Sequence, residues 1–225
     1  GNHFTIVLRA LSDADYDHIR SSFAAMQEQG VLNLFGTQRF GFAGNSHKIG
    51  QAILQGELRQ AFWEILTALP DDPSPEREEF VSVLKTHWDA LEQRDTKTIN
   101  WLAEQVPAFF KEAKGILSHL SREPGDVHGA FRTIPKKLRT LYLHAYQAHL
   151  FNTVARTLHE EGRTDIETLP LLSVHTTFHD EQVRAHYEKQ LEADGLNYEA
   201  FRLPSMPELV PPWEERRPLY LHITE

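Results

Sequence analysis

From Pro135 to about Gly162 apolar residues ring most of a helical pattern, with Leu138, Leu141, Ala145, Ala148, Leu150, Val154 and Leu158 as its frame. A helix that is apolar around most of its circumference must be wrapped by other elements. The chain is therefore expected to fold around this helix, opened by Pro135. The few polar residues inside the pattern, His144, Gln147 and Asn152, need buried partners or a role.

The flanking sequence supplies the wrapping. With 225 residues and 40% apolar content, the chain can bury one large core or two small ones. It opens on "HFTIVLRAL", where Phe4, Ile6 and Leu8 alternate with Thr5, Val7 and Arg9 as in a half-buried strand. A helix follows over 12–30, with Ser12 as N-cap, Asp15 three residues on, Ile19, Phe23 and Met26 at helical spacing, and Gly30 as its stop. Residues 31–50 have no hydrophobic period and read as a loop. Residues 47–69 read as two helices broken near Gly56, and "PDDPSP" ends them. Ser74 and Pro75 then start a helical block that runs through "DTKTINWLAEQV" and "AFFKEAKGILSHL" to a turn-rich break at "REPGDVHG". After the long helix come a short strand, "LPLLSV", a helix capped by Asp180 and stopped at Gly195, and a proline-rich linker or return crossing, "LPSMPELVPPWEE". The end, "RPLYLHITE", alternates Leu219, Leu221 and Ile223 with Tyr220, His222 and Thr224 as a strand. Strands at both ends and helices between suggest a sheet interrupted by a helical insertion.

Composition removes several chemistries. There is no cysteine, which excludes disulfides, thiolate catalysis and Cys-ligated zinc. No apolar run is long enough to span a membrane and no secretory leader is present, so a soluble, cytoplasmic protein is expected. A net charge of -9 argues against binding nucleic acid over the whole surface. Residues 131–139, "FRTIPKKLR", nevertheless carry Arg132, Lys136, Lys137 and Arg139 without an acid. They are either a local phosphate-binding site or an ordinary solvated helix start.

Thirteen histidines invite a metal reading. His175 and His179 are four apart, but Thr176, Thr177 and Phe178 favour extended backbone, which would separate the imidazoles by about 13 Å. No HExxH or EF-hand pattern occurs, so no metal is expected. P-loop, dinucleotide and G-x-S-x-G patterns are also missing. In the 31–50 loop, Asn33 can pair with the polar edge of a planar ligand and Phe35 offers a stacking face. Gly36 admits close backbone approach, and Gln38 and Arg39 can hydrogen-bond or neutralise an anion. The group describes either a nucleobase pocket or a core-anchored turn with Phe35 and Phe40 packed inward.

Three segments resemble the TruD-type pseudouridine synthases. "GNHFTIVLR", Gly1 to Arg9, is similar to a strand beginning Gly-Asn-x-Phe. "NLFGTQRFG", residues 33–41, resembles the signature Asn-Tyr-Phe-Gly-x-Gln-Arg-Phe-Gly, with Leu34 in place of Tyr. "IPKKLRTLYLHAYQAHLFN", residues 134–152, resembles the family's long helix, with Lys136 and Ala148 departing from its pattern.

The resemblance implies an α+β chain: part of a mixed-sheet catalytic core, residues 1–58 and 213–225, interrupted by a mainly helical insertion domain over 59–212. It implies isomerisation of uridine to pseudouridine in tRNA, commonly at position 13, on a flipped-out base and with no metal or organic cofactor. Phe35 would stack on uracil and Asn33 would support the pocket, with Asn2, Gln38 and Arg39 lining or bracing it. Arg132, Lys136, Lys137 and Arg139 would meet the RNA backbone. The family's catalytic aspartate lies upstream of the Gly-Asn-x-Phe strand, so by the resemblance the nucleophile is expected upstream of Gly1. Asp13, Asp15 and Asp17 instead sit at a helix start, where acids favour the dipole. These 225 residues alone are therefore expected to be inactive. The alternative is a non-catalytic RNA-binding module derived from the family.

Overall fold

A computed structural model describes residues 5–211 and 213–222. In chain order the elements are α1 (Asp13–Gln29), β1 (Val31–Leu32), α2 (Ser46–Gln55), α3 (Leu58–Leu66), α4 (Pro75–Thr86), the one-turn α5 (Asp89–Glu92), α6 (Thr96–Gln105), α7 (Lys111–Leu120), α8 (Val127–Arg132), α9 (Lys136–Glu160), β2 (Thr168–Leu171), α10 (Glu181–Ala193), β3 (Glu215–Pro218) and β4 (Tyr220–Leu221). Short 3₁₀ turns occupy Thr37–Phe40, Tyr198–Arg202 and Pro207–Leu209. The chain is α+β and rich in helix. Among the described residues the strands form two separate two-stranded antiparallel sheets, β1 with β4 and β2 with β3.

The long helix is central, as its apolar circumference requires. Tyr146, Leu150, Phe151, Val154, Ala155 and Leu158 of α9 are all buried. Its buried Gln147 donates from Nε2 to the Leu172 carbonyl at 2.6 Å, which satisfies a polar group that burial would otherwise penalise. The backbones of α2 and α9 pack closely where the two helices cross. A Cβ on Gly50 would lie 2.2 Å from the Tyr142 carbonyl oxygen and 2.9 Å from Tyr146 Cβ, so only glycine lets the two backbones approach this closely. Gly56 separates α2 from α3 in the left-handed region at φ +77°, a conformation glycine adopts without a Cβ penalty. The apolar core runs without interruption from Ile49 to Leu219, so α2 packs into the same core as the later helices.

Local signals set the helix starts. Ser12 and Asp15 form a reciprocal capping box on α1, Ser74 caps α4 ahead of Pro75, and Asp180 accepts from the Val183 N–H on α10. The break expected over 122–129 is shorter than the composition suggests. Asp126 accepts from the Gly129 N–H at 2.8 Å and starts α8, which buries Ala130 and Phe131.

The two chain ends differ from expectation. The strand expected from Gly1 to Arg9 is not found over its described part: residues 5–11 form no strand despite their alternation, and Ile6, Val7 and Leu8 are exposed at 83%, 65% and 59%. A strand needs a ladder partner, and none lies beside this stretch among the described residues. Gly1, Asn2 and Phe4 fall outside the described residues. Helix α1 forms as its cap signals require, yet buries none of its residues, and Tyr16, Phe23 and Met26 face outward. At the other end the expected single strand is divided. The Leu219 N–H donates to the Glu167 carbonyl and the Leu219 carbonyl accepts from the Asn33 N–H, both at 2.9 Å, so Leu219 carries the chain from one sheet to the other. Leu219 is wholly buried while Leu221 is exposed. Ile223 and Thr224 lie outside the described residues. The proline-rich stretch after α10 is packed rather than a loose linker, with Leu203, Met206 and Leu209 in the core.

Candidate functional site

The loop after β1 is held in place from two directions. Asn33 is buried, donates from Nδ2 to the Pro218 carbonyl at 2.9 Å, and accepts from Arg217 at both its backbone carbonyl (Nε, 3.0 Å) and its side-chain oxygen. Two residues on, Asn152 of α9 clamps the backbone of Phe35. Its Oδ1 accepts from the Phe35 N–H at 2.8 Å and its Nδ2 donates to the Phe35 carbonyl at 2.9 Å. A loop with no periodic hydrophobic pattern thus takes its geometry from side chains 117 and 184 positions away in sequence.

The Phe35 ring meets Phe151 edge-on with centroids 5.5 Å apart. Two cations rest against the same ring, the Arg217 guanidinium 4.2 Å and the Arg39 guanidinium 5.0 Å from its centroid. Burial first, then the neighbouring Arg39 charge, lowers the Arg217 pKa, which marks a positive, partly desolvated corner. An anion placed there relieves the repulsion. A base stacking on Phe35 shares the ring with these guanidiniums or displaces one.

The segment from Phe35 to Gln38 borders two open clefts. The larger, about 1050 Å³, is lined by Leu34, Phe35, Gln38 and Phe40, by His47, His149, Asn152 and Arg156, and by Asp71 at the loop before α4. The smaller, about 670 Å³, is lined by Phe35, Gln38 and Arg39 together with Ser46, Leu138, Leu141 and Tyr142. Either volume accommodates a nucleotide-sized group. His144, half-buried on α9, has its pKa lowered by burial and by Arg39, so it is poised to remain neutral near this corner.

Of the residues singled out in sequence, Asn33, Phe35, Gln38 and Arg39 come together here. Asn2 lies outside the described residues, as does Gly1, the residue upstream of which the resemblance puts the nucleophilic aspartate. The four basic residues near the start of α9 do not share one environment. Lys136 and Lys137 are exposed. Arg132 is exposed and donates to the Ser205 carbonyl at 2.9 Å. Arg139 is buried, donates from Nε to the Ile134 carbonyl at 3.1 Å, and pairs with Glu208 at 2.8 Å. His175 lies in a turn rather than in extended backbone. Among the described residues no group of three or more His, Asp or Glu side chains is placed to hold a metal ion, and no helix is long and apolar enough to cross a membrane.

Sequence reading missed Arg217, His47, His149 and Arg156. Asn152 had been signalled, because an amide inside an apolar helix needs a partner. Arg217 carries no comparable signal, since "EERRP" mixes acids and bases as a solvated strand edge does.

A family model described as tRNA pseudouridine synthase D (TruD) matches residues 1–167, a span that holds the clamped loop and all of α9. The chain belongs to the TruD family. A relative from Methanopyrus kandleri, described as a probable tRNA pseudouridine synthase D, is 31% identical over 223 residues, covering 93% of this chain and 53% of that protein. The tRNA pseudouridine synthase D of Geobacter metallireducens is 32% identical over 155 residues, 68% of this chain and 36% of that one. A crystal structure of a TruD protein from Methanosarcina mazei superposes with a TM-score of 0.75 at 21% identity, covering 91% of this chain and 55% of that chain, a likeness of fold. The chain thus spans about half, or less, of the length of these TruD relatives.

Proposed function

We propose that this chain is part of a pseudouridine synthase that isomerises uridine in tRNA, at position 13 as the resemblance implies, and acts in the cytoplasm. The observation that carries the reading is the Phe35 corner: an aromatic ring on a doubly clamped loop, at the mouth of two clefts, with two guanidiniums against it. A flipped-out uridine needs a π-face, hydrogen-bonding groups for its polar edge and cations for its phosphates, and these residue types supply each. In the reaction the N1–C1′ bond breaks, the uracil turns, and a C5–C1′ bond forms as C5 gives up its hydrogen and N1 regains one. In this reading Phe35 stacks on the uracil, Asn33 holds the pocket, and Asn2, Gln38 and Arg39 line or brace it. The exposed Lys136 and Lys137 are the direct phosphate contacts with Arg132 beside them, while Arg139, expected from sequence to join them, is buried in its pair with Glu208 and braces the start of α9 instead.

Residues 1–58 and 213–225 are assigned to the catalytic core and 59–212 to the helical insertion. The outward-facing Ile6, Val7, Leu8, Phe23 and Met26 support this division, because an apolar face of that kind is suited to packing against further core structure. The nucleophilic aspartate is assigned to that further structure, upstream of Gly1. Asp71 is the one carboxylate among the described residues lining the larger cleft, and it sits on an exposed loop.

Binding of a uridine-containing tRNA to this chain and to its Phe35→Ala variant tests the pocket. Loss of the stacked ring is expected to weaken binding by about 1–3 kcal/mol. Unchanged affinity with altered stability would return Phe35 to a packing role.

A further inference from the structure

A second group of side chains in the larger cleft is not explained by uracil recognition. His47, in the first turn of α2, and His149 of α9 stack with ring centroids 4.7 Å apart and an interplanar angle of 21°. Phe40 meets His47 edge-on at 5.6 Å, and Tyr146 lies beside His149 at 6.5 Å. On α9, His149, Asn152 and Arg156 fall on one stripe at three- and four-residue steps, and all three line the cleft. The Arg156 side chain is exposed and its guanidinium has no ion pair or hydrogen bond among the described residues. His47 Nδ1 is buried without a hydrogen-bond partner of ordinary geometry, although the Gly44 backbone lies close enough to the ring to favour its protonated form.

Two stacked imidazoles and one uncommitted guanidinium lining the same cleft make a poor structural device. Two aliphatic side chains would fill the same volume without leaving polar nitrogens unsatisfied. The same set is well suited to an oxyanion, since imidazole N–H groups and a guanidinium donate to phosphate oxygens. We propose that His47, His149 and Arg156 form a phosphate subsite that takes a phosphodiester of the RNA strand whose uridine occupies the Phe35 pocket, and that it tightens as one imidazole of the pair gains a proton. The subsite rests on the RNA reading above for the identity of its ligand, but not for its chemistry.

The charges around the pair set the direction of its response. For His47, burial, His149 and Lys48 favour the neutral ring, while Glu64 from α3 and the Gly44 backbone act against them. For His149, burial and Arg156 favour the neutral ring, while Asp194 beyond α10 acts against them. Both pKa values are lowered in the free protein, so the pair is neutral at pH 8. A phosphate raises the pKa of the imidazole it touches, and by linkage its own affinity rises as pH falls. Stacking limits the gain to one proton, because a second charge at this separation is repelled.

The test combines two measurements on this chain. In the first, imidazole NMR signals are followed from pH 8 to pH 5.5 with and without inorganic phosphate, and phosphate is expected to raise the midpoints of His47 and His149. In the second, tRNA affinity is measured at pH 8 and pH 6 over a range of salt concentrations. Wild type should bind severalfold more tightly at pH 6, a gain that approaches the tenfold limit of a one-unit rise in one imidazole pKa only below both the free and the bound value. The His47→Phe/His149→Phe variant keeps an aromatic stack and should lose most of that gain. Exposed Arg156→Gln should weaken binding at both pH values and lower the salt slope by about one phosphate contact. The proposal is overturned if phosphate leaves both imidazole midpoints unmoved, or if the double-Phe variant retains the wild-type gain. Raised midpoints without tRNA binding at any pH would support an anion subsite while removing the RNA reading. Tight tRNA binding that ignores pH and both sets of substitutions would remove the subsite and leave the RNA reading standing.

Discussion

Asn152 satisfies both backbone groups of Phe35 with one amide, accepting from its N–H at 2.8 Å and donating to its carbonyl at 2.9 Å. The central buried helix thereby fixes the backbone of the residue assigned to uracil stacking. Asn152→Ala leaves a donor and an acceptor unpaired in a part-buried site, so it is expected to cost about 2–4 kcal/mol in denaturant unfolding. Asn152→Asp keeps the acceptor but faces the Phe35 carbonyl with negative charge, and should recover little of that loss.

Gly50 tests the close backbone approach of α2 to α9. Gly50→Ala drives a Cβ to 2.2 Å from the Tyr142 carbonyl, a backbone atom that cannot rotate away. Helices α2 and α9 must separate, at a cost of about 1–3 kcal/mol. Because α2 also carries His47, the same substitution should disturb the imidazole stack. A shift of the His149 NMR signal checks this.

Arg139 and Glu208 connect α9 to the proline-rich stretch by an ion pair whose arginine is 8% and glutamate 32% exposed. Arg139→Met should lower stability by about 2 kcal/mol, less than a fully buried pair because Glu208 remains partly in water. The hydrogen bond from Arg139 holds the Glu208 carboxyl below its ordinary range. A depressed carboxylate stabilises the fold above its unfolded pKa and loses that contribution as pH falls through its folded value. Acid unfolding curves should therefore converge for wild type and Arg139→Met at low pH and separate toward neutrality. Curves that stay parallel would show that the pair does not supply the difference.

Lys136 and Lys137 carry no structural bond comparable to that of Arg139. Replacing both with Gln should leave thermal stability within about 0.5 kcal/mol of wild type. It should also flatten the salt dependence of tRNA binding by nearly one unit of log–log slope for each lost phosphate contact. An unaltered slope would remove them from the RNA surface.

The helices were legible because their signals are local. Ser12 with Asp15, Ser74 with Pro75, Asp180 and Gly56 mark ends that α1, α4, α10 and α2 respect. The ends of the chain were less legible, because alternation in residues 5–9 specifies a strand only where a partner exists. Leu219 changes sheets for a reason that lies in Asn33 and Glu167, far off in sequence. At the site, Phe35, Gln38 and Arg39 stood out by residue type, but the residues that organise them did not. Arg217 and Asn33 are 184 positions apart. The His47 and His149 rings sit in two unrelated helical patterns, and only the crossing of α2 over α9 brings them together.

The most direct test of the uridine pocket follows the hydrogen that leaves C5. Transfer RNA labelled with tritium at C5 of uridine is incubated with the natural protein that contains these 225 residues, with its Phe35→Ala variant, and with this chain alone. Tritium release by the natural protein, a large loss of release on Phe35→Ala, and tRNA binding without release by this chain are the expected results. Release by the natural protein that is indifferent to Phe35→Ala would contradict the pocket. Release by this chain alone, abolished by Asp71→Asn, would place the nucleophile in the cleft and contradict its assignment upstream of Gly1.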